Sequence, residues 1–151
     1  MEIENKYYTP QDKEFQIGFE YEYSYRQTSW CNHTINTKAD LTLCIEENEE
    51  NLIRVKYLSQ KDIESFGFVY NGKTIDNWYT LIVNHTRVMS NYVNRSISLQ
   101  HDFRTNQGVI IKGYEFEDKS GEEEILYRGS CKNKSEFKKL LIQLNIIQDE
   151  K

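Results

Sequence analysis

A chain of 151 residues with 38% hydrophobic and 28% charged side chains, seven glycines and one proline has the composition of an ordinary folded domain. Eleven Tyr, seven Phe and two Trp exclude a disordered chain, and no apolar run approaches the roughly 18 residues of a membrane span. A net charge of −5 makes bulk attraction to nucleic acid or to an anionic membrane a poor basis for binding. The charge is uneven, because between residues 77 and 114 Arg87, Arg95, Arg104 and Lys112 meet the lone acid Asp102.

Taken in chain order, residues 1–13 lack periodicity and carry Pro10, the only proline, and read as a poorly ordered lead-in. From Phe15 to Tyr25 every odd position is apolar or aromatic and every even one small or polar, the period of a half-buried strand. A polar stretch follows from Gln27 to Asp40. Leu41, Leu43 and Ile45 then alternate again before an acidic turn at 46–51 and a returning strand at 52–57, which predicts an antiparallel hairpin.

Ser59, with Asp62 three residues on, marks a helix start, and Gly67 stops that helix after about two turns. Residues 68–70, Asn71-Gly72 and 73–75 predict a tight hairpin, since Asn-Gly accepts the positive φ of its turn. Residues 78–83 read as a strand. Between 84 and 107, Ile97 and Leu99 indicate a strand, while the dominant polar residues allow a long surface loop. Strands at 109–116 and 124–128 flank a turn at 117–121. Phe137, Leu140, Leu141 and Leu144 then lie on one helical face, after Asn133 and Glu136 as a capping box, with Lys138 and Lys139 toward water.

These elements predict an α+β fold: a mainly antiparallel sheet, bent or closed into a partly open barrel, with one short middle helix and a C-terminal amphipathic helix. A single β-rich domain is expected at 14–147, with a tail at 148–151. Sequential strands joined by polar turns argue against a doubly wound nucleotide-binding sheet.

Gly67-Phe68-Val69-Tyr70-Asn71-Gly72-Lys73-Thr74 has the letters of a phosphate-binding P-loop. Its context is wrong. The motif needs a helix directly after the lysine, and Thr74-Ile75-Asp76-Asn77-Trp78-Tyr79 is poor helix material, so a hairpin turn is the better reading. Glu20 and Glu22 share the polar face of the first strand, where they are either an acid and base for hydrolysis or ordinary solvated acids; no matching partner favours hydrolysis. His33, His85 and His101 with Cys31 have no metal-ligand spacing, and a Cys31–His nucleophilic pair would lack a recognisable oxyanion loop. No metal, cofactor or catalytic residue is expected. Cys31, Cys44 and Cys131 are an odd set without a CxxC, which points to a reducing compartment. The sequons at Asn32, Asn84, Asn94 and Asn133 then read as chance, and the start of the chain, acidic and polar, lacks the pattern of a secretion signal.

Arg87, Arg95 and Arg104 with Tyr92 and Phe103 form the candidate ligand- or partner-binding set, since guanidinium forks match phosphate or carboxylate and aromatic rings anchor interfaces. The plainer alternative pairs these arginines with acids at 46–50 or 122–124. Tyrosines in the predicted strands either fill the sheet core or supply a recognition surface.

Gly18-Phe19-Glu20-Tyr21-Glu22-Tyr23, Ile53-Arg54-Val55-Lys56-Tyr57-Leu58, Asp62-Ile63-Glu64-Ser65-Phe66-Gly67-Phe68 and Lys132-Asn133-Lys134-Ser135-Glu136-Phe137-Lys138-Lys139-Leu140-Leu141 together resemble a group of small bacteriophage and prophage proteins to which no activity is assigned. The resemblance implies a phage setting and carries no residue roles. With no coherent catalytic set, the expected function is a non-enzymatic accessory protein in the host cytoplasm that binds a host protein and blunts a defence system. The alternatives are a sequestering binder of a nucleotide or other small anion, and a virion or packaging component. A homodimer through a sheet edge is compatible with the pattern; nucleic acid and membrane are not expected partners.

Overall fold

In the computed structural model the residues described are 7–71, 77–88, 91–102, 108–116 and 123–149, and within the longer strands side chains are described at 78–81, 96–101, 108–113 and 124–130. The chain divides into two compact units. One runs to Tyr57 and takes in Asn133–Ser135; the other holds Leu58–Lys132 and the chain from Glu136 onward. Both are built on open antiparallel sheets, in keeping with the α+β expectation; neither sheet is closed into a barrel.

The first unit carries β1 (Tyr7–Tyr8), β2 (Glu20–Tyr23), β3 (Cys31–Thr34), α1 (Lys38–Glu49) and β4 (Ile53–Lys56), with sheet order β1-β4-β2-β3. Residues read as lead-in thus supply a strand, Tyr7 and Tyr8 pairing with Lys56 and Val55. The alternating run from Phe15 to Tyr25 yields only four residues of strand. Gly18 breaks it with φ +88°, and Ile17 and Tyr25 are 62% and 74% exposed, whereas Phe15 and Phe19 turn into the core.

The hairpin expected at 41–57 is replaced by a helix. Leu41, Cys44 and Ile45 satisfy helical spacing as well as Leu41, Leu43 and Ile45 satisfy alternation, and Thr37 decides between them by capping: its hydroxyl accepts from Asp40 N at 3.2 Å while Asp40 accepts from Thr37 N at 2.8 Å. Cys44 is then buried with Phe19, Ile35, Ile53 and Val55, and Leu43 is left 54% exposed.

The second unit carries α2 (Gln60–Ser65), β5 (Val69–Tyr70), β6 (Asn77–Val88), β7 (Asn91–Asp102), β8 (Gly108–Phe116), β9 (Glu123–Ser130) and most of α3 (Lys134–Gln143), its sheet running in sequence order from β5 to β9. Ser59 and Asp62 cap α2 as expected, and Gly67 follows it at φ +91°. The hairpin after Phe68 is wider than the Asn-Gly reading allows: Tyr70 pairs with Tyr79 and Asn71 N donates to Trp78 O at 2.9 Å. That register brings the Tyr70 and buried Tyr79 rings to 5.1 Å. The turn residues 72–76 lie outside the described residues.

Over 84–88 and 91–102 the long-loop alternative does not hold, while 89–90 and 103–107 lie outside the described residues. β6 runs on to Val88 and β7 spans Asn91–Asp102, because Ile97, Leu99 and His101 alternate inward against Ser96, Ser98 and Gln100. The turn read at 117–121 lies outside the described residues. Phe137, Leu140 and Leu141 of α3 close one face of the sheet over Tyr79, Ile97, Leu99, Val109 and Ile111, while Lys138 and Lys139 stay exposed. At the start of α3, Glu136 reaches back to Lys132 N at 2.7 Å, and Asn133 Nδ2 donates to the Tyr8 hydroxyl at 2.8 Å.

Candidate interaction surfaces

The basic stretch of the sequence becomes the three central strands of the five-stranded sheet. Pairing registers place Val69, Thr80, Ser98, Lys112 and Ile125 in one row across it, and Trp78, Gln100, Ile110 and Arg128 in the row beside it. Both rows lie on the face away from α3, since the intervening row of Tyr70, Tyr79, Leu99, Ile111 and Tyr127 belongs to the core. Lys112 Nζ stands 5.4 Å from the centre of the Trp78 ring, and Ser98, between them in position, is buried. Val69 and Ile125 are 61% and 50% exposed at the two ends of their row. Lys112 and Arg128 are the only charges in the two rows, so these rows are basic and aromatic on an acidic protein.

Of the residues singled out from the sequence, Arg87 and Tyr92 are brought directly opposite each other in the β6/β7 pairing, beyond a bulge between Val83 and Thr86. Arg95 pairs in register with Val83 on one side and Glu115 on the other. The side chains of these three lie outside the described residues, as do Phe103 and Arg104 altogether.

The sequence reading missed a second constellation, in the first unit. Arg54 on β4 is paired in register with Glu22 on β2, and its Nε donates to Glu22 Oε2 at 2.6 Å. The guanidinium lies 3.8 Å from the Tyr7 ring centre and 4.1 Å from that of Trp30, and the Tyr7 hydroxyl donates to Glu22 Oε1 at 3.3 Å. Glu22 is therefore committed to Arg54 and Tyr7. Glu20 has Lys134 Nζ at 4.0 Å, so the two acids of this strand do not converge on a common centre.

On the other face of β2, His33 packs against the Tyr21 and Tyr23 rings at 5.6 and 5.9 Å. Burial pushes the Tyr21 hydroxyl well above the usual phenol range, with the adjoining Cys44 thiol adding to the effect. Burial likewise raises the Cys44 thiol and the Glu47 carboxyl, the latter against an opposing pull from His33. A buried thiol held protonated is inert as a nucleophile. Among the described residues no group of three or more His, Cys, Asp or Glu is placed to hold a metal ion, and no helix is long and apolar enough to cross a membrane. Of the residues with the P-loop letters, Val69 and Tyr70 form β5 and 72–74 lie outside the described residues; the next described element is strand β6. Compared with protein-family models, curated proteins and solved structures, the chain has no match.

Proposed function

We propose that this is a non-enzymatic, phage-encoded accessory protein that acts in the host cytoplasm by covering a host protein, and that the face of the five-stranded sheet away from α3 does the covering. The carrying observation is the one-sided closure of that sheet. α3 seals one face, while the other presents Trp78, Ile110, Lys112 and Arg128 with exposed aliphatic residues at its ends. Aromatic and arginine side chains on a rigid platform are the usual anchors of protein interfaces, and a basic face on an acidic chain selects an acidic patch on the partner. Blunting a defence system is the purpose this reading assigns to the contact.

The test is capture from host lysate by tagged protein, with native mass spectrometry of the eluate, comparing the natural chain with a Trp78→Ala/Lys112→Glu variant. A stoichiometric host protein is expected with the natural chain, bound at least about tenfold more weakly by the variant, at unchanged thermal stability. Equal capture by both would remove this face from the proposal; elution of the natural chain without any host protein would remove the proposal itself.

A further inference from the structure

Arg54 carries five N–H donors in one plane, and among the described residues only Nε meets a hydrogen-bond acceptor, Glu22 Oε2 at 2.6 Å. Its Cζ lies over the Tyr7 ring, 3.8 Å from the ring centre, and over the Trp30 ring at 4.1 Å. What remains is the in-plane edge formed by the two Nη groups, on a side chain 29% exposed. An arginine serving only to tie β2 to β4 would need no ring on either side. Here three side chains from separate segments, Tyr7, Glu22 and Trp30, hold the guanidinium and leave its two terminal nitrogens for an incoming group.

We propose that the Nη edge of Arg54 is a binding fork for an oxyanion, a carboxylate or phosphate group presenting two oxygens to the two terminal nitrogens. The planar fork matches such a pair of oxygens bidentately. Tyr7 and Trp30 hold the side chain in one arrangement, so little rotamer freedom is lost on binding, and their rings beside the guanidinium lower the local dielectric, which strengthens a charge-assisted hydrogen bond. Glu22 is paired with Arg54 and Glu20 has Lys134 beside it, so each described acid of β2 already has a base next to it. This site lies in the first unit and does not depend on the sheet face proposed above.

Trp30 reports on the fork. In the full chain carrying Trp78→Phe, which leaves Trp30 as the sole tryptophan, fluorescence is followed while a tri-glutamate peptide or inorganic phosphate is added at constant ionic strength. A saturable change is expected, and the arm that gives it identifies the group as carboxylate or phosphate. Arg54→Lys, which keeps the charge and loses the fork, is expected to weaken it at least about tenfold. A second readout needs no substitution: in the ¹⁵N-labelled natural chain the Arg54 Nη–H signals should shift with the same ligand while Nε–H, held by Glu22, stays in place. No saturable change with either anion up to about 10 mM, an unaltered response in Arg54→Lys, or a shift confined to Nε–H would each overturn the proposal.

Discussion

Gly18 and Gly67 hold nearly the same backbone angle, φ +88° and +91°, yet replacing them by alanine has different consequences. A Cβ on Gly18 meets nothing within 4 Å, whereas on Gly67 it stands 3.3 Å from Leu81 Cδ1. Gly18→Ala therefore carries only the conformational cost of a left-handed residue, about 1–2 kcal/mol. Gly67→Ala adds the displacement of Leu81 beside the second core and is expected to cost more. Urea unfolding of the two variants checks the order, and a Gly18→Ala loss equal to or greater than that of Gly67→Ala would contradict it. Arg54 shows what single residues conceal: in sequence it is one basic position in a strand, and only the pairing of β1, β2 and β4 gathers Tyr7, Glu22 and Trp30 around it.

Helix α1 depends on its first turn. Thr37→Ala removes the cap and is expected to cost about 1 kcal/mol. Asp40 accepts hydrogen bonds from the Asn36 and Thr37 backbone N–H groups, and these, with the Thr37 hydroxyl, hold its carboxyl below the usual carboxylate range. A group whose folded value is depressed binds its proton less readily in the native state. Its contribution is complete above the unfolded value, near 3.9 for aspartate, and is lost as pH falls from there through the folded value. Melting temperatures of the natural chain and Asp40→Asn should accordingly differ at neutral pH and converge in acid; a gap that is independent of pH would sink this account. The same turn marks the limit of periodicity. α2, strands β8 and β9 and the buried face of α3 are legible because local pattern and turn or cap signals agree, whereas the full length of β6 and β7 is not, since polar residues between 84 and 107 fit a loop as well. α1 is not, because its apolar residues fit both periods and the Thr37–Asp40 box had to be weighed above the alternation. The run from Phe15 to Tyr25 misleads for a related reason: alternation survives on either side of Gly18 although the chain turns there. The candidate surfaces are less legible than the elements, since rows across a sheet follow from registers that no local pattern specifies.

At the scale of the whole molecule, the first unit is discontinuous in sequence. No composition shift marks its boundary at Tyr57, and it is completed by Asn133–Ser135 from far along the chain. Those residues make specific contacts within it: buried Asn133 donates to the Tyr8 hydroxyl, which itself donates to Glu14 at 2.8 Å, and Ser135 Oγ accepts from Glu20 N at 2.9 Å. The core they help enclose is small, centred on Phe15, Phe19, Ile35, Cys44, Ile53 and Val55. A chain of about 60 residues buries only some 60% of its unfolded surface and is marginal on its own. A fragment ending at Tyr57 keeps every one of those core residues but loses the hydrogen bonds from Asn133 and Ser135, so it is expected to melt without a cooperative transition under conditions where the full chain gives one. Asn133→Ala in the full chain isolates the larger of these ties, and its loss is expected to cost about 1–3 kcal/mol, since it removes a buried partner of the Tyr8 hydroxyl. If the fragment melted as sharply and at the same temperature as the full chain, residues 1–57 would hold their own core and the return of the chain at Asn133 would be dispensable. If instead only the full chain folds, the Arg54 stack exists only once the distant end of the chain is in place, and the anion fork can be assayed only in the complete protein.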